Sequence, residues 1–200
     1  VSTNRLEAFS DGVLAVAITL LVLEVRVPPA GRAHDLVHAL LVQWPQYAAY
    51  VTSFVTIGII WMNHHVMVGR LRQADHAILA LNLLLLLTIA VLPFATDLMA
   101  TYLKQSRGQH LAAGIYSGAF LAMSIVFSVM NWHILFAKSH LLTAELPEER
   151  RRQIMSRGLT GLIPYTVATA LAPVSPYITI AICFAVAAFY ALPVASGGGD

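Results

Sequence analysis

Charge is what this 200-residue chain has least of: only 11% of its residues are Asp, Glu, Lys or Arg, against 58% hydrophobic. Soluble domains carry about a quarter charged residues, so too little charge remains here to cover a water-facing surface. Cysteine is almost missing as well. A lone Cys183 inside an apolar run excludes an intrachain disulfide and any cysteine-based metal cluster, and makes redox chemistry a poor fit. The formal charge of +2 is small and scattered, with no basic stripe of interleaved aromatics, which sets nucleic-acid binding aside. No Gly-x-Ser-x-Gly elbow accompanies Ser124, Ser128 and His133, so hydrolysis has no support beyond isolated hydroxyls. Serine in membrane helices more often bonds backbone or a neighbour.

What the chain does have is long apolar runs, such as Ile78–Ala95 and Tyr177–Val194, with a mean hydropathy of +0.72. Crossing the hydrocarbon core takes about 20 predominantly apolar residues. The predicted fold is therefore all-α: an integral membrane six-helix bundle formed by residues 1–195, with 196–200 as a Gly-rich tail. Asn4 and Glu7 form a capping-box pattern that opens the first span, which Pro28 and Pro29 stop after Val27. Asp11 and Glu24 interrupt that run and no small-residue cleavage site follows, so it reads as a retained helix rather than a signal peptide. His34–Gln43 reads as a short amphipathic helix. Pro45, at a first helical position, starts a second span to about Gly69. The third runs from Asp75 to about Tyr102 with a bend at Pro93, and the fourth from about Leu111 to Ala137. The fifth starts near Pro147, is punctuated by Gly158, Gly161 and Pro164, and ends before Pro173 and Pro176. The sixth covers Tyr177 to Leu192.

Positive residues concentrate on one side. Arg5, Arg70, Arg72, Lys138, Arg150, Arg151, Arg152 and Arg157 fall at the N-terminus and in alternate loops, while the other side holds Arg26, Arg32, Lys104 and Arg107. Excess Lys and Arg stay cytoplasmic, so both termini are predicted to face the cytoplasm of a multi-pass protein. Trp44, Tyr47 and Tyr50 on one side and Trp61 and Trp132 on the other suit interfacial belts, or equally fill gaps between helices.

Ionisable residues within spans face the bundle interior or a water-filled cavity, because lipid exposure costs several kcal/mol. The first span has Asp11 near one end and Glu24 near the other. At 100° per residue, Phe9, Gly12, Val16, Thr19, Leu20 and Leu23 share one face, with Gly12 and Thr19 small enough to admit a close neighbour. Such a stripe by itself is ordinary helix packing. The segment Arg5-x-x-x-Phe9-Ser10-Asp11, followed by an apolar helix carrying Thr19 and several leucines, resembles the first helix of the transmembrane protein 175 family. That family comprises the endolysosomal potassium channel of animals and its bacterial relatives.

The resemblance implies a potassium-preferring cation channel of a bacterial cell membrane, a homo-oligomer, with the homotetramer as the family pattern for one six-span unit per chain. It implies no cofactor and no metal, potassium as the permeant ion, and membrane lipids as surroundings. Carried over by distance from the motif, the pore constriction falls on Val16, Leu20 and Leu23, with Thr19 as a hydroxyl layer. Some relatives have Leu or Ile where Val16 stands, which makes that ring wider here. No Gly-Tyr-Gly run occurs, so a carbonyl-lined filter is absent from the sequence. A hydrophobic constriction that gates by dewetting is the physical alternative, favouring the ion that sheds water more readily.

The same topology brings Trp61, Asn63, His64, His65, Asp75, His76 and Asn131–His133 to the level of Arg5, Ser10 and Asp11. Buried polar groups at this depth need partners, which assigns Asp11 a structural role in holding the first helix; the second reading is an ion or proton site. Eight histidines raise the question of a metal. His64 and His65 point about 100° apart, and His34 and His38 lack a third ligand beyond Asp35, so a metal centre is not expected. Histidines can still make conduction pH-sensitive. The rival function is a secondary transporter of a cation or small solute, but no Asp, Glu, Lys or Arg occupies the middle of a span.

Overall fold

The structure, a computed structural model, describes residues 3–28 and 36–192. His34 of the His34/His38 pair, Arg32 and the 196–200 tail lie outside the described residues. The described chain is helical throughout: α1 (Thr3–Leu20, continued by a 3-10 turn Leu21–Glu24), α2 (Leu36–Val42), α3 (Trp44–Gly69), α4 (His76–Ala90), α5 (Leu92–Tyr102), α6 (Gln109–Trp132), α7 (Glu148–Thr160), α8 (Leu162–Leu171) and α9 (Pro176–Ala191). Four helical stretches are long and apolar enough to cross a membrane: Thr3–Glu24, Trp44–Gly69, His76–Tyr102 and Gln109–Ala137. The apolar α9 is shorter.

Local chemistry accounts for most boundaries. The Ile78 amide donates to Asp75 Oδ1 at 2.9 Å, capping α4, and the Ile178 amide to Ser175 Oγ at 3.4 Å, capping α9 with Pro176 in its first turn. Pro93 lacks an amide hydrogen to continue the ladder, so the third stretch breaks at Val91 into α4 and α5. Gly108 precedes α6 with φ of 85°, and a Cβ there would sit 2.9 Å from the Tyr102 ring, so both backbone and space demand glycine. α1 is already helical at Thr3, so Asn4 lies within the first turn rather than capping it, and the Glu7 carboxylate reaches His65 instead of its own helix start. The last turn of α6 widens into a π-helical stretch, His133–Ala137, closed by the Lys138 amide on His133 O at 2.9 Å. Gly161 divides α7 from α8, which leaves the fifth stretch as two helices instead of one.

The core lies among α3, α5, α6, α8 and α9. Tyr116 and Phe120 meet edge to face at 4.8 Å between ring centres, and Phe120 stacks on Tyr165 at 5.5 Å. Ser53 Oγ lies 2.8 Å from Thr96 Oγ1 and 3.2 Å from the Tyr116 hydroxyl, joining α3, α5 and α6. Other hydroxyls in the spans donate back to their own helices, as Thr52 does to Ala48 O and Ser117 to Ala113 O. That satisfies them without water. Against this core α1 packs on α3 and α4, and is the least enclosed of the four long stretches, with 28% of its apolar window buried against 39% for each of the others.

At the end of the bundle where α1 begins, the α3–α4 loop is tied to the α6–α7 connector. Leu71 bridges Leu142, the Arg72 amide donates to Leu141 O at 2.9 Å, and the Thr143 amide to Arg70 O at 2.8 Å. Lys138 pairs with Asp75 at 3.2 Å. The Ile78 amide and the Lys138 ammonium hold the Asp75 carboxyl below its ordinary range.

Candidate functional site

The two faces of α1 have different fates. Leu6, Ser10, Leu14, Ala17 and Leu21 are buried against the bundle. Phe9, Gly12, Val16, Thr19, Leu20 and Leu23 are left uncovered, with Val16 57% and Leu23 69% exposed. An open apolar groove of about 500 Å³ runs along Phe9, Gly12, Val16 and Leu20, with Ala90 of α4 on its wall. A Cβ added at Gly12 would meet nothing within 4 Å, so packing inside this chain does not account for a glycine there. Thr19 Oγ1 donates to Ala15 O at 2.9 Å and Val16 O at 3.0 Å. Its proton is committed to the helix, which leaves only acceptor lone pairs to whatever meets this face.

A polar ladder holds the N-terminal half of α1. Trp61 Nε1 donates to Asp11 Oδ1 at 2.9 Å, and one turn along, His65 Nδ1 pairs with Glu7 Oε1. These are two rungs between antiparallel helices, with the i, i+4 pair on α1 matching the i, i+4 pair on α3. Beside them runs a fully buried relay. Asn82 of α4 donates from Nδ2 to Ser10 Oγ at 3.0 Å, while its Oδ1 lies 2.8 Å from His64 Nε2. Ser10 Oγ donates to Leu6 O at 2.8 Å. A carbonyl can only accept, so the donors all point one way, from His64 through Asn82 and Ser10 to the α1 backbone. His64 then carries its proton on Nε2, and Nδ1 is a buried lone pair without a partner among the described residues.

Other residues singled out by sequence lie apart from this ladder. Arg5 and His76 are exposed, and Asn63 donates to Ile59 O of its own helix at 2.8 Å. Among the described residues no hydrogen bond joins Asn131, Trp132 or His133 to α1; the Asn131 amide instead lies beside Gly158 of α7, 3.8 Å from where a Cβ would sit. Sequence reasoning missed Asn82 and the part of Glu7. The signal for Asn82 was its isolation: one amide inside the run Ile78–Leu87, where an uncompensated polar group is costly. Among the described residues no group of three or more His, Cys, Asp or Glu is placed to hold a metal.

At the far end of α1 the 3-10 turn packs on α3 and α5, and just past it Arg26 Nη2 lies 3.5 Å from Asp97 Oδ1 of α5 while the Arg26 amide donates to Gln46 Oε1 of α3 at 3.3 Å. The helix is thus pinned at both ends while its middle presents an unpaired apolar stripe.

These features define a class: an all-helical protein of several membrane-crossing helices, whose first helix is anchored by polar contacts and turned outward on one face. Residues 5–93, which run from Arg5 of the motif through α3 and α4 to Pro93, match the family described as endosomal/lysosomal potassium channel TMEM175. A potassium channel of Streptomyces collinus is 42% identical over 94% of this chain and 91% of its own. A crystal structure of a lysosomal potassium-selective channel TMEM175 homolog from Chamaesiphon minutus superposes with a TM-score of 0.84 at 37% identity, covering 98% of both chains. The human endosomal/lysosomal proton channel TMEM175 is 33% identical over 66% of this chain, a match covering 27% of that longer protein. This chain belongs to the transmembrane protein 175 family.

Proposed function

We propose that this protein is a potassium-preferring cation channel that conducts passively through a hydrophobic constriction formed by α1 of several copies. One observation carries the reading: the stripe Phe9, Gly12, Val16, Thr19, Leu20 and Leu23 is uncovered in the single chain although the helix bearing it is pinned at both ends. One helix cannot enclose a pore, and closed cyclic symmetry brings copies of the same face onto an axis. The proposed assembly is a homotetramer of six-span units, each comprising residues 1–195, in a bacterial cell membrane with both termini cytoplasmic. In this reading α7 with α8 makes the fifth span and α9 the sixth.

Rings of Val16, Leu20 and Leu23 would form the narrow part. An apolar constriction conducts only when wetted, and passes more readily the ion that gives up water at lower cost. Potassium, larger than sodium, is that ion. Thr19, with its proton spent on the helix, offers oxygen acceptors that replace part of the lost hydration. No cofactor enters this scheme. Asp11, Ser10, Glu7, Trp61, His64, His65 and Asn82 act as positioning residues that set the angle of α1.

The test is potassium against sodium flux through purified protein in liposomes, with Leu20→Ala and Leu23→Ala alongside. Passive flux that prefers potassium and changes with those substitutions supports the reading. A stable monomer in lipid would sink it. Because the human relative is named a proton channel, a pH dye inside the same vesicles separates proton flux from potassium flux.

The second reading, a secondary transporter, is favoured by the break at Val91 near the middle of the third stretch, since broken helices are common in transporters. It is weakened by the Ala95 amide returning to Val91 O at 3.1 Å, which limits the unwound backbone, and by the lack of a charged residue there. Uptake that requires a proton gradient would select it.

A further inference from the structure

At the end of the bundle away from the start of α1, the short helix α2 stands almost clear of the protein. Its sequence Leu-Val-His-Ala-Leu-Leu-Val is apolar except for His38, and none of its residues is buried. Leu36, Leu40 and Leu41 are all exposed, Leu41 by 68%. At about 100° per residue these three leucines share an arc of about 140°, and His38 points out of it. An isolated helix this short does not hold its shape in water, so what surrounds α2 has to support it.

The fixed point of α2 is its C-terminal end. Lys104 Nζ, in the turn after α5, donates to Val42 O at 2.7 Å, which puts a cation where the helix dipole is negative. The same ammonium lies 5.6 Å from the centre of the Trp44 ring, and Trp44 stacks on Tyr177 at 6.3 Å. A tryptophan, a tyrosine and a lysine gathered at one depth mark the headgroup level of a membrane. The backbone agrees: α5 ends at Tyr102, α6 begins at Gln109 and α9 at Pro176. Tyr177 also fixes the side of the bundle. It opens α9, which packs on α3, α6 and α8, whereas α1 packs mainly on α3 and α4. Ile178, Phe184 and Phe189 of α9 are exposed, so the foot of α2 borders an apolar surface distinct from the α1 stripe.

We propose that α2 lies in the headgroup layer of the leaflet at this end of the bundle, with Leu36, Leu40 and Leu41 at the acyl boundary and His38 toward water. A lipid surface fits this helix better than a second copy of the chain. Trp44, Tyr177 and Lys104 set its depth, and it stands apart from the face on which copies are proposed to meet. The seating rests on apolar area rather than headgroup charge: residues 36–42 carry no Asp, Glu, Lys or Arg, and Lys104 is engaged with Val42 O and Trp44. α2 stands between α1 and α3 in the chain, so its seating ties the link between those helices to the bilayer.

The test places a nitroxide on the full chain in phosphatidylcholine liposomes through Leu36→Cys, Leu41→Cys or His38→Cys. It reads collisions with oxygen, which partitions into lipid, and with a water-soluble nickel complex. Cys183 is fully buried and takes up no label. The oxygen-to-nickel collision ratio should be roughly fivefold higher at positions 36 and 41 than at 38, as for a helix lying with one face in the acyl boundary. All three positions are exposed, and Leu40→Cys repeats the measurement on the same side, so the loss of one variant leaves the test intact. Equal ratios at positions 36, 38 and 41 would overturn the proposal. Exclusion of both agents from 36 and 41 would overturn it as well, because protein would then cover the helix, a second copy if the labels broaden one another's spectra.

Discussion

The two faces of α1 are built from similar residues and held to different standards. Leu14, 1% exposed, and Leu20, 43% exposed, are the same side chain six residues apart, yet one is enclosed against α3 and α4 and the other is left open on its outer side among the described residues. In lipid no hydrophobic force separates them, because the surrounding tails are as apolar as leucine. What separates them is the polar ladder: Glu7, Ser10 and Asp11 turn toward α3 and α4, and every other residue of α1 takes its place from that rotation. The difference shows how a few hydrogen bonds can aim an apolar helix that hydrophobicity alone would leave free to spin.

The largest effect should come from removing the hub of the ladder. Asn82→Ala strands His64 Nε2 in the core and takes a donor from Ser10 Oγ, which keeps its bond to Leu6 O, and should lower unfolding free energy by about 3 kcal/mol, the upper end of the roughly 1–3 kcal/mol for a stranded group, read as a drop in melting temperature in detergent. Full retention of stability would mean that α1 is aimed by something else. Next, Leu14→Ala should cost roughly 2 kcal/mol by leaving a cavity, whereas Leu20→Ala and Leu23→Ala should leave melting almost unchanged and alter ion flux. If all three lowered stability alike, the two faces would not differ in kind.

A smaller effect is expected at the α4 cap. Asp75→Ala should cost about 1 kcal/mol, the usual value of an N-cap. The sign with pH follows from the depressed carboxyl. Asp75 is held below its ordinary value of 3.8, so its contribution is complete above that value and is lost as pH falls further, through the folded-state value. The wild-type advantage over Asp75→Asn should therefore shrink below about pH 4, measured by denaturant unfolding across that range. Smallest in stability is Thr19→Val, within about 0.5 kcal/mol for a surface site, but it removes the oxygen layer and should lower the potassium-to-sodium flux ratio. An unchanged ratio would assign the preference to the apolar rings alone.

Much of this was legible before any coordinates. Pro45, Asp75, Pro93, Gly161 and Pro176 act on the backbone within a turn of themselves, so each helix boundary they set could be read locally. The stripe on α1 follows from helical period, and the approximate level of the histidines and Trp61 from the alternation of spans. The pairings were not legible. Ser10 and Asn82 are separated by 72 positions, and which of Asn63, His64, His65 and His76 would join them depends on the rotation of α3 and α4. The π-helical end of α6 was hidden for the same reason, since nothing in His133–Ala137 marks a change of helix type.

The sequence by itself determined the solvent and the repertoire: too little charge for water, apolar runs of membrane length, and a first helix with polar residues on one side and small and leucine residues on another. Those properties depend on composition and period, which are local. Only the tertiary structure decided which side of α1 is buried, that Asn82 rather than Asn63 or His76 completes the relay, and that the α3–α4 loop is tied to the α6–α7 connector. These depend on the rotation and depth of helices far apart in the chain, and they are settled by many weak contacts whose sum no single stretch of sequence contains.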